Sequence, residues 1–367
     1  MSEKKAAPNS TGNPRPTPVR IDFDSLISTD IRADISESVE KAFGLDGFGG
    51  AIITNIPGFK ETREKVLKNM YRLSKEPKEF LRSLSKTDVS GLHEVGWTDK
   101  EMKAPFGKIT NKPVAFYSRY PQETVVFPQD PGFEKVMENI WPEAIPQFKE
   151  DLFKLNSLLT PPFLGLLKYL DRYLSGKVDD DKRGKFVDSF FDHYGCSSRL
   201  IVYKPLDEFQ TNAEDEYNWE NWHVDHCLMT AVTHPIYLTR QGERYELDST
   251  ALLLKDRRGQ EHEGVFSEDE FILTTGNPMF VESAGYIPAT PHTVKLSRGM
   301  PKDIYRIQSA YFFEPDMNYR MNIPTGESFE EILARDPTRH SHRESDFFEE
   351  GCYYKEFLDE IGKFIYK

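Results

Sequence analysis

From Ile35 to Phe43 apolar residues recur every three or four positions, the spacing of a helix that buries one face, and the same rhythm returns from Arg63 to Leu84. Between them "GFGGAIITNIPG" (Gly47 to Gly58) predicts a glycine turn that enters a short β-rich strand. The run "FEKVMENIWPEAIPQFKEDLFKLNSLL" and the later "FLGLLKYLDRYLSG" predict a long helix pair. Pro161 and Pro162 should break or kink it, because proline lacks the amide donor and clashes with the preceding turn.

After Phe186 the rhythm changes to short β-branched and aromatic runs separated by turns: "SSRLIVYKP", "NWHVDHCLMTAV", "STALLLKDRRGQ", "GVFSEDEFILTTG", "PMFVESAGYIPATPHTVKLS" and "IYRIQSAYFFEP". Short strands at near-regular spacing predict a sandwich or barrel, not a doubly wound sheet, and no glycine-rich phosphate loop lies between a strand and a helix. Beyond Pro315 the chain becomes polar and then helical from about Ser345 to Tyr366. No internal repeat is visible. The pattern divides one integrated domain into a disordered lead-in at 1–20, a helical and β portion packing on the core at 21–185, a β core at 186–316, and a loop and helix at 317–367.

Composition supports one large core and narrows the function classes. With 367 residues, 38% of them hydrophobic and 13% aromatic, the chain suits a single elaborated β domain. A net charge of -13 repels phosphate backbones and anionic lipid heads, so no nucleic-acid or membrane partner is expected. The short basic cluster "KDRRG" (Lys255 to Gly259) is turn-like and expected to be a solvated loop. No apolar run approaches the ~20 residues of a membrane span, and the N-terminal stretch lacks the apolar core of a signal peptide. Cys196, Cys227 and Cys352 are odd in number and unpaired in pattern, which predicts a reducing, cytoplasmic setting, with Cys227 as core filler.

The candidate chemistry lies in "NWHVDHCLMT", Asn221 to Thr230. On an extended strand His223 and Asp225 point to one face, close enough to chelate a cation, yet a His-x-Asp pair alone is weak evidence and needs a third ligand. His292 sits in the strand-like "PATPHTVKLS". Two imidazoles and one carboxylate that leave positions open form the facial site of non-heme Fe(II) oxygenases. His226, one register step off, is expected to be structural. A rival pair, His342 and Glu344 in "TRHSHRESD", has no strand character around it and is expected to be a solvated loop.

"HVDHCLMTAV", "GYIPATPHTVKLSRG" and "RIQSAYFFEPD" resemble the metal and cosubstrate segments of the Fe(II)/2-oxoglutarate-dependent dioxygenases, in the isopenicillin N synthase-like branch. The resemblance extends to "STALLLKDRRGQ", to "VYKP" and more faintly to "IDFDSLI" and "FGGAIITNIPG". It implies a double-stranded β-helix, or jelly roll, mainly β with flanking helices. It implies iron held by His223, Asp225 and His292, and 2-oxoglutarate as a cosubstrate whose far carboxylate Arg306 holds and Tyr203 hydrogen-bonds. Gln308 stands at the cosubstrate position where the family has serine, and Ile201 where it has asparagine. Arg298, in the turn-like "KLSRGMP", is the lesser rival to Arg306.

The activity so implied is oxidation of a small-molecule substrate by O2, as hydroxylation, desaturation or cyclisation, with release of succinate and CO2. An Fe(II) oxidase on the same scaffold that does not use 2-oxoglutarate, or a non-catalytic jelly-roll binding module, are the alternatives. Alternation along "RLIVY" adds one more expectation. If Tyr203 points inward, Ile201 and Arg199 share its face while Leu200 and Val202 pack outward. Arg199 then either reads an anionic group on the substrate or forms an internal salt bridge to an acidic side chain at the barrel rim.

Overall fold

The computed structural model describes residues 18–87, 94–99, 113–126, 136–179, 194–205, 218–247, 249–295, 301–336, 338 and 347–366. In order, the first half runs through strand β1 (Val19–Asp22), helices α1 (Phe23–Ile27) and α2 (Ala33–Phe43), strand β2 (Gly50–Thr54), and helices α3 (Phe59–Leu73) and α4 (Lys78–Ser83). Strands β3 (Ser85–Thr87), β4 (Glu94–Thr98), β5 (Val114–Tyr120), β6 (Thr124–Val126) and β7 (Val136–Glu138) follow, then helix α5 (Phe148–Leu174). The second half is mostly strand: β8 (Tyr194–Tyr203), β9 (Asn218–His223), β10 (Met229–Thr233), β11 (Ile236–Leu238), β12 (Leu252–Lys255), β13 (Glu261–Glu263) and β14 (Phe271–Thr275). After helix α6 (Asn277–Glu282) come β15 (His292–Lys295), β16 (Tyr305–Pro315) and helices α7 (Phe329–Leu333) and α8 (Tyr354–Tyr366).

Two sheets form the jelly roll. The large one has the order β1-β2-β14-β10-β16-β8-β5-β4-β3 with β11 also paired to β16, and the small one is β13-β12-β15-β9. Apart from the parallel β1–β2 pair, their ladders are antiparallel. Strands from the first half thus extend a sheet built by the second, so residue 186 marks a change of rhythm and not a seam between layers.

The alternation along β8 is the one expected. Leu200 and Val202 belong to the main core, together with the buried faces of α3 and α5, while Ile201 and Tyr203 join Trp219, Tyr237, Ala251, Val294 and Ile304 in a separate apolar cluster between the sheets. The helices therefore cover one side of the large sheet, and its other side faces the small sheet.

Several expectations fail for local reasons. Helix α5 runs unbroken through Pro161 and Pro162. Its buried stripe Leu152, Leu155, Leu159, Pro162, Phe163, Leu166 and Leu170 is continuous across both prolines. Burial of ~1.5–3 kcal/mol for each large apolar side chain outweighs the ~3 kcal/mol that an interior proline costs. The helical rhythm from Arg63 to Leu84 is instead cut after Leu73, and α4 begins after Pro77, where a missing amide hydrogen is tolerated. The "KDRRG" segment does turn, but Arg257 is buried, donating to the Ala289 carbonyl at 2.7 Å and to Thr275 Oγ1 at 3.3 Å, so only part of that loop is solvated. In the nominally polar stretch after Pro315, Met317, Tyr319, Met321 and Ile323 are buried, and α8 begins at Tyr354, later than the rhythm suggests. The Arg298 and His342–Glu344 alternatives lie outside the described residues, as does most of the lead-in.

Candidate active site

The facing strands of the two sheets bring the sequence-derived residues together. On the small sheet β9 ends at His223, directly opposite His292, the first residue of β15. The two imidazoles lie 4.3 Å apart between ring centres. Asp225 follows β9 and closes the third side: its Oδ1 is 3.7 Å from His223 Nε2, and its Oδ2 is 3.6 Å from His292 Nε2. One ligand atom from each of the three residues lies within 4.8 Å of the others, and among the described residues this is the cluster able to hold a metal ion. His226 is not part of it.

The orientation of each ligand is fixed by its neighbours. His223 Nδ1 lies 2.8 Å from the Asn221 carbonyl and His292 Nδ1 lies 3.0 Å from the Thr290 carbonyl. A carbonyl can only accept, so each Nδ1 carries the hydrogen and each Nε2 presents a lone pair toward Asp225. Burial pushes the His292 imidazolium toward its neutral, ligating form against the pull of Asp225. For Asp225 burial acts upward, but His292, His223 and the Thr230 hydroxyl together outweigh it and hold the carboxyl below its usual range. Two neutral imidazoles and a carboxylate suit a borderline divalent metal such as Fe(II).

Asp225 is tied down from two directions. Thr230 Oγ1, on a buried residue, donates to Asp225 Oδ2 at 2.5 Å, and the Asn277 amide donates to the Asp225 carbonyl at 2.9 Å. Gly276 makes the second tie feasible. A Cβ there would stand 2.0 Å from the Cys227 carbonyl oxygen and 2.6 Å from that of Asp225, so no larger residue fits without moving the ligand loop. Cys227 is the buried filler its sequence position suggests, its Sγ donating to the Met229 carbonyl at 3.2 Å.

On the large sheet, Arg306 of β16 lies opposite Tyr203 of β8, Gln308 opposite Ile201, and Ala310 opposite Arg199. Directly opposed residues share a face, so Arg199, Ile201, Tyr203, Arg306 and Gln308 line one wall. Arg306 is 0% exposed. Its Nη2 donates to the Thr250 carbonyl at 2.9 Å, and its guanidinium lies 4.9 Å from the centre of the Tyr203 ring and 5.6 Å from that of Trp219. Its Nε and Nη1 are buried with no hydrogen-bond partner among the described residues, as is Trp219 Nε1. A permanently charged group so placed lacks part of the hydrogen bonding that burial demands, which is the condition an anionic ligand would meet. Gln308, at the position of the family's serine, already uses its amide to donate to the Thr233 carbonyl at 2.9 Å.

Facing this wall from the small sheet is a residue that spacing did not reveal. Glu220 accepts from Tyr203 Oη at 3.1 Å and from Arg199 Nη1 at 3.2 Å. Counting back from His223 in twos would place Glu220 on the opposite face. On β9, however, the partners of His292 and Val294 are three positions apart, whereas His292 and Val294 are only two apart on β15. This bulge turns Glu220 to the same side as His223. Thr293 Oγ1 donates to the Glu220 carbonyl, satisfying an acceptor at the irregular step. Burial presses the Glu220 carboxyl upward, but His223, Arg199, His292 and the Tyr203 hydroxyl overcome it and leave it at about 2.

No protein-family model matches the chain, and no curated protein sequence matches it. Solved structures do. A full-length Neurospora crassa protein in complex with alpha-KG superposes with a TM-score of 0.64 over 99% of this chain and 100% of its own, at 19% identity. A putative 2OG-Fe(II) oxygenase family protein from Caulobacter crescentus gives a TM-score of 0.64 over 94% and 97% of the two chains, at 16% identity. The chain has the fold of the 2OG-Fe(II) oxygenases. The Arabidopsis thaliana dioxygenase for auxin oxidation, solved with 2-oxoglutarate, shares that oxygenase fold at a TM-score of 0.53 over 83% of this chain and 94% of its own, with 14% identity. That fold accounts for the two-sheet enclosure.

Proposed function

We propose that the protein is an Fe(II)- and 2-oxoglutarate-dependent oxygenase that oxidises a small-molecule substrate with O2, releasing succinate and CO2. The observation that carries this reading is the pairing of two unlike groups across one barrel, each with atoms prepared for a ligand. One is a triad whose Nε2 and carboxylate atoms converge with their other atoms tied back, and the other is a buried arginine with two unpartnered nitrogens. Structural neighbours with the same fold were solved with alpha-KG, or with 2OG and Fe, which supports the same cosubstrate here.

When bound, the iron with its chelating 2-oxoglutarate supplies the oxygen-activating chemistry. His223, Asp225 and His292 would hold the metal and leave its remaining positions open. Arg306 would fix the far carboxylate through its unpartnered nitrogens, so that the cosubstrate enters in one orientation. Ile201 and Val294, both buried in the cluster between the sheets, keep that part of the cavity poor in water and strengthen the ion pair. No helix among the described residues is long and apolar enough to cross a membrane. Cys196, Cys227 and Cys352 are thiols and not disulfides, which accords with a cytoplasmic setting.

The test is direct. Protein loaded anaerobically with Fe(II) should bind 2-oxoglutarate and, on admission of O2, form succinate in amounts that rise with the right substrate in a screen of metabolite pools. Uptake of iron without any binding of 2-oxoglutarate would replace this reading with that of an oxidase using the same scaffold. Failure to bind iron would leave a non-catalytic binding module.

A further inference from the structure

The hydrogen bond between Tyr203 and Glu220 raises a question of supply. A phenol has one hydrogen to donate. Tyr203 is fully buried, and burial together with the adjacent Glu220 raises its hydroxyl well above its ordinary range, so it remains a donor and never an anion. It therefore cannot hydrogen-bond Glu220 and a cosubstrate carboxylate at full strength together. Gln308 already spends one of its two amide hydrogens on Thr233, so it offers at most one neutral donor beside the phenol.

We propose that Glu220 is an internal competitor for the cosubstrate: in the unloaded protein its carboxylate occupies the Tyr203 hydroxyl, and 2-oxoglutarate binds by taking that donor from it. This rests on the oxygenase reading given above. Three features make the exchange feasible. Glu220 keeps a second partner, Arg199 at 3.2 Å, so giving up Tyr203 does not strand a charge. Tyr203 lies directly opposite Arg306 in the ladder, so its hydroxyl and the unpartnered guanidinium nitrogens belong to one pocket wall. The bulge in β9 is what brings Glu220 there, where regular pairing would have turned it away.

The consequence is a cosubstrate affinity lower than Arg306 and Tyr203 alone would give, set by the balance of two carboxylates over one hydroxyl. Glu220→Gln keeps the shape but removes the charge, which roughly halves the strength of the competing bond.

The experiment is a double-mutant cycle on protein loaded with Mn(II) under nitrogen, with 2-oxoglutarate as the probe and calorimetric binding as the readout. Glu220→Gln should tighten 2-oxoglutarate binding about tenfold. Tyr203→Phe should change it little in the native background, because the hydroxyl is merely exchanged there, but cost about tenfold in the Glu220→Gln background. Glu220→Asp, whose shorter side chain keeps the charge by Arg199 but withdraws from Tyr203, should give an intermediate gain and covers the case of a poorly folding Gln variant. Binding that is unchanged or weaker in both Glu220 variants, with Mn(II) uptake intact, would overturn the inference, as would an equal Tyr203→Phe cost in both backgrounds. If the native protein took up Mn(II) but bound no 2-oxoglutarate, the oxygenase reading itself would fall, and this one with it.

Discussion

The two ends of β9 make different kinds of site. At His223 every functional atom has its orientation set within a few residues: Asn221 fixes His223, Thr290 fixes His292, and Thr230 fixes Asp225. At Glu220 nothing is local. Its partners Tyr203 and Arg199 come from the other sheet, and Arg306 beyond them is left with two unpartnered nitrogens. The first region is a finished metal socket, complete before any ligand arrives. The second is a charged pocket whose hydrogen bonds are provisional. A metal site requires lone pairs already converged, whereas an anion site that must load and release gains from donors that change partners.

The contrast is broken most completely at the socket. Asp225→Ala should abolish iron uptake and turnover, because two imidazoles without the carboxylate leave an open site with too few ligands. Metal content after anaerobic loading, with the melting temperature as a fold control, is the check. Wild-type iron content in that variant would dissolve the distinction between the regions altogether.

Next in size is Arg306→Leu, which removes the charge fixed at the cavity end of β16. Loss of one or two charge-assisted hydrogen bonds of ~1.5–3 kcal/mol each should raise the 2-oxoglutarate requirement by about 100-fold, with iron uptake unaffected. Equal rises in the requirement for 2-oxoglutarate and for the oxidised substrate would mean that Arg306 shapes the barrel instead of reading the cosubstrate.

Thr230→Val is smaller and sharpens the claim that the socket is set in advance. The substitution keeps volume and removes the hydroxyl that fixes Asp225, and loss of such an outer hydrogen bond typically weakens metal affinity about 10–100-fold. Activity should therefore recover at high Fe(II). A variant with native iron affinity would show that Gly276 and the Asn277 amide suffice to hold the ligand loop.

The same contrast explains what could be read along the chain. The shared face of Arg199, Ile201 and Tyr203 was legible because it depends on strict alternation within β8, which pairs with β16 without irregularity, whereas the triad and Arg306 were singled out by the family resemblance. Glu220 was not legible, since its direction depends on a bulge created by pairing with β15, and nothing in "NWENWH" announces it. Thr230 and Gly276 were missed for a related reason, because both act through contacts that only the folded ligand loop creates. In the fold, the period of α5 was visible, but the prolines suggested a break that a continuous buried stripe overrides. The early strands β3, β4 and β5 take their place in the large sheet through the pairing of β5 with β8, which only the folded chain reveals.

The smallest effect concerns Arg199, for which substrate reading and internal pairing were both open. Its 3.2 Å contact with Glu220, both side chains being more than four-fifths buried, supports pairing, without removing a further role toward substrate. Arg199→Gln should cost about 2 kcal/mol at pH 7, between the cost of breaking an exposed pair and a fully buried one. The pH dependence identifies the partner. Glu220 sits at about 2 in the folded protein, below the ordinary ~4.3 of a glutamate, so its contribution is complete above that ordinary value and is lost as pH falls toward 2. Once Glu220 is protonated Arg199 has no carboxylate to hold there, and the stability gap between native and variant protein should close over that interval. Denaturant unfolding of metal-free protein at about pH 7, 4 and 3 measures the gap. A gap that stayed constant down the series would mean that Arg199 stabilises the wall by packing on the Tyr117 ring, 5.8 Å from its guanidinium, and not through Glu220. An undiminished melting temperature with weakened substrate binding would assign it to the substrate.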